Sequence, residues 1–178
     1  ERLRLVAMIV ANIFAPAPGK RLQSSLARIG RSVHGRSAGK IVLNELIGTG
    51  ALTQREIAGV LYVWPSDAGP GRDEAEDVVR FLAPFDPVVW DRERFEQLWG
   101  WVYRFEAYTP AHKRMRGYYA MPLLWRDGIV GWANVSVENG SLDVDLGFVD
   151  GPVTDRSFEI ELEREMDRMK TFLQLGET

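Results

Sequence analysis

The chain has 178 residues, 46% of them hydrophobic and 26% charged, with a formal charge of −3 and no cysteine. That is enough chain for one domain or two small ones, too apolar for global disorder, and too acidic overall for a uniformly basic nucleic-acid coat. The missing thiols exclude disulfides, cysteine zinc sites and a cysteine nucleophile; with His34 and His112 as the only imidazoles, no metal site and no cofactor are expected.

Leu3, Val6, Val10 and Ile13 recur at helical spacing and predict a largely buried first helix, ended by Pro16 and Pro18. The apolar run Leu5–Ala11 falls short of the ~18–20 residues of a membrane span and reads as core helix rather than signal peptide. The chain opens on Glu1 rather than methionine, and a piece of a longer gene product is the expectation. Leu22, Leu26 and Ile29 predict a second helix stopping at Gly30. Lys40–Ile47 predicts a third, closed by Gly48 and Gly50. Thr53–Ile57 and Val60–Trp64 then flank Ala58-Gly59 as a hairpin.

Three helices followed by a hairpin is the order of a winged helix-turn-helix, here over residues 1–66. Its third helix can enter a major groove while the hairpin forms a wing; the same architecture also serves as a spacer or a protein-binding module. Between Lys20 and Asn44 the charged residues are Lys20, Arg21, Arg28, Arg31, Arg36 and Lys40, with no acid among them. Arg36 and Lys40 are therefore candidate DNA contacts of this unit. Within Gly30–Lys40, Gly30–Ser37 also matches a phosphate-loop pattern, with Arg36 where lysine belongs, and Gly35-Arg36-Ser37-Ala38-Gly39 matches a nucleophile elbow. Both motifs need a buried strand immediately upstream, whereas Leu22–Ile29 is helical in pattern. A basic helix–helix connection accounts for the same residues.

Ser66–Asp77 is polar, acidic and rich in glycine and proline, and residues 67–80 are expected to be a linker. Residues 81–178 then read as a second unit. Phe81–Trp132 holds five of the chain's six tryptophans, a density that suits either a packed core or a platform for nucleobases. After a short helix, Arg92–Leu98, strands are predicted. Trp101, Tyr103, Phe105 and Ala107 share one face of the first, with Arg104, Glu106 and Tyr108 on the other. Tyr118–Trp125, Ile129–Val137 and Ser141–Phe148 are joined by Asp127-Gly128 and Asn139-Gly140, dipeptides that favour tight hairpins. A helix from about Asp155 to Leu175 carries the apolar stripe Phe158, Leu162, Met166, Met169 and Leu173. The expected fold class is α+β: a winged helix followed by a small antiparallel β-barrel closed by a C-terminal helix.

The constellation from Thr109 to Tyr119 concentrates His112, Lys113, Arg114 and Arg116 between strands, beside Tyr108, Tyr118 and Tyr119. Such residues can neutralise phosphates and support an unstacked base step, or form a solvated loop with its tyrosines packed inward. Asp86, Asp91, Glu93, Glu96 and Glu106 are candidate bases, but acids interspersed with arginines more often serve structure. Two Asn-x-Ser sequons, at Asn134 and Asn139, would matter only in a secreted setting.

Leu82–Val135 closely resembles the C-terminal region of the AlkZ/YcaQ-type DNA glycosylases. The resemblance rests on the run from Pro84 to Arg92, Tyr-Arg-Phe-Glu-Ala-Tyr at Tyr103–Tyr108, Lys-Arg…Gly-Tyr-Tyr at Lys113–Tyr119, and Leu-Leu-Trp-Arg-Asp-Gly at Leu123–Gly128. Val60–Asp67 is similar to the wing strand before them. The resemblance implies tandem winged helices with a small barrel and excision of alkylated purines or unhooking of interstrand crosslinks. The N-glycosidic bond is broken by a positioned water, without a metal. In that family a Gln-x-Gln or Gln-x-Asp motif orients the water. Gln23, Gln54, Gln97 and Gln174 open no such motif here, so no catalytic residue carries over. The chain is expected to be the C-terminal part of a longer enzyme, or a relative that binds DNA without cutting it. The implied setting is a bacterial cytoplasmic monomer that binds double-stranded DNA, with no membrane, metal or cofactor. The candidate DNA contacts are His112, Lys113, Arg114, Arg116, Tyr118 and Tyr119, with Arg36 and Lys40.

Overall fold

The computed structural model describes residues 1–34, 37–68 and 75–175. The chain divides into two compact units, Glu1–Arg72 and Asp73–Thr178, and both helices and antiparallel sheet pairings run through it, making it α+β.

The first unit runs α1 (Arg2–Ile13), β1 (Ala17–Pro18), α2 (Gly19–His34), α3 (Ala38–Gly48), β2 (Leu52–Ile57) and β3 (Val60–Pro65). β2 and β3 form the expected hairpin, and the two-residue β1, which has no signal in the sequence, pairs with the other side of β3. Helices of this length are marginal in water and are held by their apolar faces. Leu3, Ala7 and Ala11 of α1 meet Leu22 and Leu26 of α2, Leu43 and Leu46 of α3, and Leu52 and Val63 of the hairpin in one core.

α2 does not stop at Gly30. A Cβ there would lie 3.1 Å from Leu3 Cδ2, so this glycine serves helix packing and not a C-cap. Gly39 is tighter still: its Cβ would sit 2.4 Å from the Gln23 carbonyl oxygen and 2.8 Å from Ala27 N. The final glycine of the elbow-like pattern is thus the point where α3 crosses α2. What precedes that pattern is helix, and neither chemistry has the strand it needs. Arg36 lies outside the described residues, as does the stretch 69–74 of the expected linker.

The second unit contains β4 (Val79–Phe81), α4 (Pro87–Trp90), α5 (Arg92–Trp99), a 3-10 turn (Ala111–Lys113), β5 (Met121–Trp125), β6 (Gly128–Glu138), β7 (Ser141–Phe148) and α6 (Arg156–Phe172). Its sheet is antiparallel in the order β4-β5-β6-β7. The Asn139-Gly140 turn is as expected, with φ of 51° and 78° and Glu138 facing Ser141. The β5–β6 turn is shifted by one residue from the expected dipeptide. Trp125 pairs with Gly128, so Arg126-Asp127 makes the turn and Arg126 takes the positive φ, 55°. Arg126 is held there by ion pairs to Asp77 at 2.6 Å and Asp155 at 3.1 Å.

Val79, Phe81, Leu123, Trp125 and Ala133 of the sheet pack with Phe158 of α6, and Leu162, Met166 and Met169 complete that core. Leu173, the last residue of the expected stripe, is exposed. Glu161 and Glu165 are buried instead. Glu165 accepts from Phe81 N–H at 2.9 Å, and Arg168 donates to the Val79 carbonyl at 3.1 Å. α6 therefore satisfies the outer edge of β4 with side chains, which removes an open strand edge.

A second core surrounds Phe95, with Leu82, Val89, Trp101 and Tyr103. Here the sequence reading needs correction. Trp101–Tyr108 alternates in burial over its first residues but does not pair into a sheet. Its period of two comes from Trp101 and Tyr103 both turning onto Phe95, with ring centroids 5.8 Å away in each case. Aromatic packing on one neighbour imitates the strand pattern that a ladder would produce.

A basic loop clamped by a buried carboxylate as candidate nucleic-acid interface

Residues Thr109–Ala120 connect the extended aromatic stretch to β5. Between Ala107 and Ala120 the chain carries His112, Lys113, Arg114 and Arg116 and no acid. The loop has little regular structure, so its backbone groups need other partners. Glu106 supplies a partner to three of them in a row. Placed on the solvent face by the sequence pattern, it is 6% exposed. Its Oε2 accepts from the backbone N–H groups of Met115 at 2.9 Å, Arg116 at 2.8 Å and Gly117 at 3.3 Å. Burial alone would raise the Glu106 pKa, but the three amides and the nearby Arg116 charge outweigh it and hold the carboxyl below its usual value.

Other contacts fix the rest of the loop. Arg114 Nε donates to the Thr109 carbonyl at 2.8 Å, Asn134 Nδ2 donates to the Arg116 carbonyl at 2.6 Å, and Tyr103 OH donates to the Ala120 carbonyl at 2.6 Å. Gly117 has φ of 131°, and a Cβ on it would lie 2.2 Å from Asn134 Oδ1, so only glycine fits between Glu106 and β6. Burial pushes the Tyr103 hydroxyl up to about 12 against the opposing pull of Arg92, which keeps it a donor at any physiological pH.

The candidate residues of this loop separate into two groups. Arg116 is half-buried; its guanidinium lies 4.8 Å from the Trp101 ring centroid and 5.7 Å from that of Trp132, and the two indoles stack at 6.1 Å. Arg114 lies 4.9 Å over Tyr118. These cations are oriented by aromatic faces. His112 and Lys113, on the 3-10 turn, are exposed and pair with no acid among the described residues. Tyr118 and Tyr119 are exposed as well.

Lys40 is exposed on α3 in the first unit, beside Ile41 and Asn44. α2 presents Lys20, Arg21 and Arg28 on its own exposed positions. The first unit also has an open apolar groove of about 630 Å³ lined by Pro16, Thr53, Ile57 and Trp64, with Arg55 as the only cation among its described lining residues.

Three of the acids considered as bases, Asp86, Asp91 and Glu106, are engaged in structural contacts. Asp86 accepts from Val88 N–H at 2.8 Å and Asp91 from Arg94 N–H at 3.3 Å, as the N-caps of α4 and α5. Arg92 donates to the carbonyls of Val89 and Pro84, and Arg94 to those of Pro87 and Val88, stitching the segment before α5. Glu106, with Oε2 accepting three amides and its pKa lowered, is a poor general base. No cluster of side chains among the described residues could hold a metal ion, and no described helix is long and apolar enough to cross a membrane.

Asn134 and the rings of Phe85 and Phe105 were not among the candidate residues, and Glu106 was a candidate only as a base, not as a clamp on the loop. Period-two alternation points Glu106 outward, and nothing in the spacing links it to amides nine or more positions later.

No solved structure matches the chain. The model of the AlkZ-like DNA glycosylases matches residues 36–172, which takes in all of α3, both sheets' hairpins and α6. With well over half its length inside that match, the chain belongs to the AlkZ-like DNA glycosylase family, whose work is DNA repair.

Proposed function

We propose that this chain is the DNA-holding part of a glycosylase that excises alkylated purines or unhooks crosslinks by hydrolysing the N-glycosidic bond. In this reading the first unit is a winged helix and the second a barrel-like unit, and each binds double-stranded DNA. The order α1-β1-α2-α3-β2-β3, with β1 added beside the hairpin, supports the first assignment. The observation that carries the reading is the loop His112–Tyr119. A buried carboxylate ties down its amides while His112 and Lys113 point into solvent. A rigid backbone bearing a lysine unpaired among the described residues and an exposed imidazole suits a phosphate backbone, because little ordering entropy is left to lose on binding.

Within that interface Lys113 and His112 contact phosphate, Tyr118 and Tyr119 line the approach, and Arg114 and Arg116 mainly shape the loop. Arg36 and Lys40 serve the first unit's contact. Hydrolysis is assigned to no residue of this chain, which carries no Gln-x-Gln or Gln-x-Asp sequence. That absence favours a second reading, a non-catalytic DNA-binding module.

Binding of a fluorescent duplex measured against salt tests the proposal. The affinity should fall with a log–log slope of roughly one unit per phosphate contact, and Lys113→Ala should lower the slope by about one. Salt-independent binding, or none at low salt, would refute it. Incubation with N7-methylated DNA followed by alkaline cleavage separates the two readings, since strand breaks produced by the 178-residue chain alone would make it catalytic by itself.

A further inference from the structure

Phe105 is the hub of a ring cluster that belongs to neither core of the second unit. Its ring meets those of Phe85, Tyr119 and Tyr108 edge-on, at 5.4, 5.3 and 6.1 Å and angles of 69°, 89° and 85°. The outer rings are open: Phe85 is 63% exposed, Tyr119 40% and Tyr108 92%. A single exposed aromatic needs no explanation, but a contiguous group supported on one half-buried ring marks a surface built to be covered.

The chemistry around the cluster selects what covers it. Tyr108 and Tyr119 stand at the two ends of the basic loop, which has no acid of its own, and the adjacent Glu106 is turned inward onto backbone amides. An apolar protein surface would offer nothing to Lys113 and His112. A polyanion that also presents flat rings satisfies both the cations and the aromatics, and nucleic acid has that combination. In a paired duplex the base faces are occupied by their neighbours, so the rings can be used only where a base has left the stack. At 92% exposure, Tyr108 has nearly its whole ring available, and Phe105 fixes its position without covering it.

We infer that Phe85, Phe105, Tyr108 and Tyr119 form a stacking platform for an unpaired nucleobase, with Lys113 and His112 holding the flanking phosphates. This rests on the DNA-binding reading above and adds to it a preference for DNA with a base out of the helix.

The test uses two duplexes of equal length, one with a single bulged 2-aminopurine and one in which that base is paired. The whole chain should bind the bulged duplex roughly tenfold more tightly, the size of one base–aromatic stack, and should quench its 2-aminopurine emission. Tyr108→Ala should abolish the preference and the quenching while leaving the salt slope unchanged; Tyr108→Trp should restore both. Lys113→Ala should lower the slope and keep the preference. Equal, salt-dependent binding of both duplexes, unaltered by Tyr108→Ala, overturns the platform and leaves the DNA-binding reading intact. Binding to neither duplex at low salt overturns both.

Discussion

Glu106 and Glu165 are both buried carboxylates of the second unit, 6% and 7% exposed, and both accept backbone N–H groups. What surrounds their charge differs. Glu165 accepts one amide, from Phe81, and has Arg168 at 2.7 Å and Arg80 at 3.5 Å. Cations and anion close on each other, and the product is a sealed strand edge under α6. Glu106 is satisfied by three consecutive amides instead. Amide dipoles stabilise an anion without consuming a paired side-chain cation, and with only Arg116 among the described cations near enough to assist, Lys113 of the same loop keeps its charge for something else. One arrangement is spent on the fold, while the other holds a shape and leaves positive charge facing out.

Removing the two carboxylates in turn is the strongest way to break that comparison. Glu106→Ala should cost about 2–3 kcal/mol of stability, since hydrogen bonds to a charged acceptor are lost and the amides have no replacement. Urea unfolding of the second unit would report it, and duplex affinity should fall as the loop loosens. Glu165→Ala should cost about 2 kcal/mol by the same reasoning but leave duplex affinity at 20 °C within about twofold, because nothing it holds faces DNA in the proposed reading. Equal losses of DNA binding in both variants would erase the distinction between sealed seam and presenting loop.

Acid sharpens the comparison further. The folded-state pKa of Glu106 lies below its ordinary value, so the folded state holds the proton less readily than the unfolded chain. Its stabilising contribution is present above the unfolded pKa, near ~4.3, and is lost as pH falls through the lower folded value. Wild type should therefore lose more melting temperature between about pH 6 and pH 3 than Glu106→Gln, which has no charge to lose there. Parallel curves for the two proteins would mean that the amides do not favour the charged form.

How far these features were legible in the sequence follows from what each depends on. The helices of the first unit, the Asn139-Gly140 turn and α6 were readable because a local pattern sets them: an apolar period, two residues with positive φ, a stripe. Gly30 and Gly39 were misleading because their role is close approach to Leu3 and to the Gln23–Ala27 backbone, partners that a local pattern does not contain. Trp101–Tyr103 imitated a strand because burial against Phe95 alternates as a pleat does. Glu106 was placed on the wrong side for the same reason. In the candidate site, the basic and aromatic residues could be named from sequence, whereas the division between oriented arginines and outward cations could not. That division is made by Trp101, Trp132 and Tyr118 in three dimensions.

Tyr103 provides the smallest and most local test of the clamped loop. Glu106 fixes its middle, and the Tyr103 hydroxyl fixes its exit by donating to the Ala120 carbonyl at 2.6 Å. Tyr103→Phe keeps the ring against Phe95 and under Arg92, whose guanidinium lies 4.4 Å from the ring centroid, and removes only the donor. The expected cost is about 1 kcal/mol, the net worth of one buried neutral hydrogen bond, read as a lower urea midpoint with unchanged slope. Because β5 begins immediately beyond Ala120, the Met121 and Leu123 amides should exchange hydrogen faster in this variant while those of β7 do not. Slowed or unchanged exchange at Met121 would place the anchor of the loop's exit in the sheet itself, and would leave Glu106, Asn134 and Arg114 to hold the surface proposed to meet DNA.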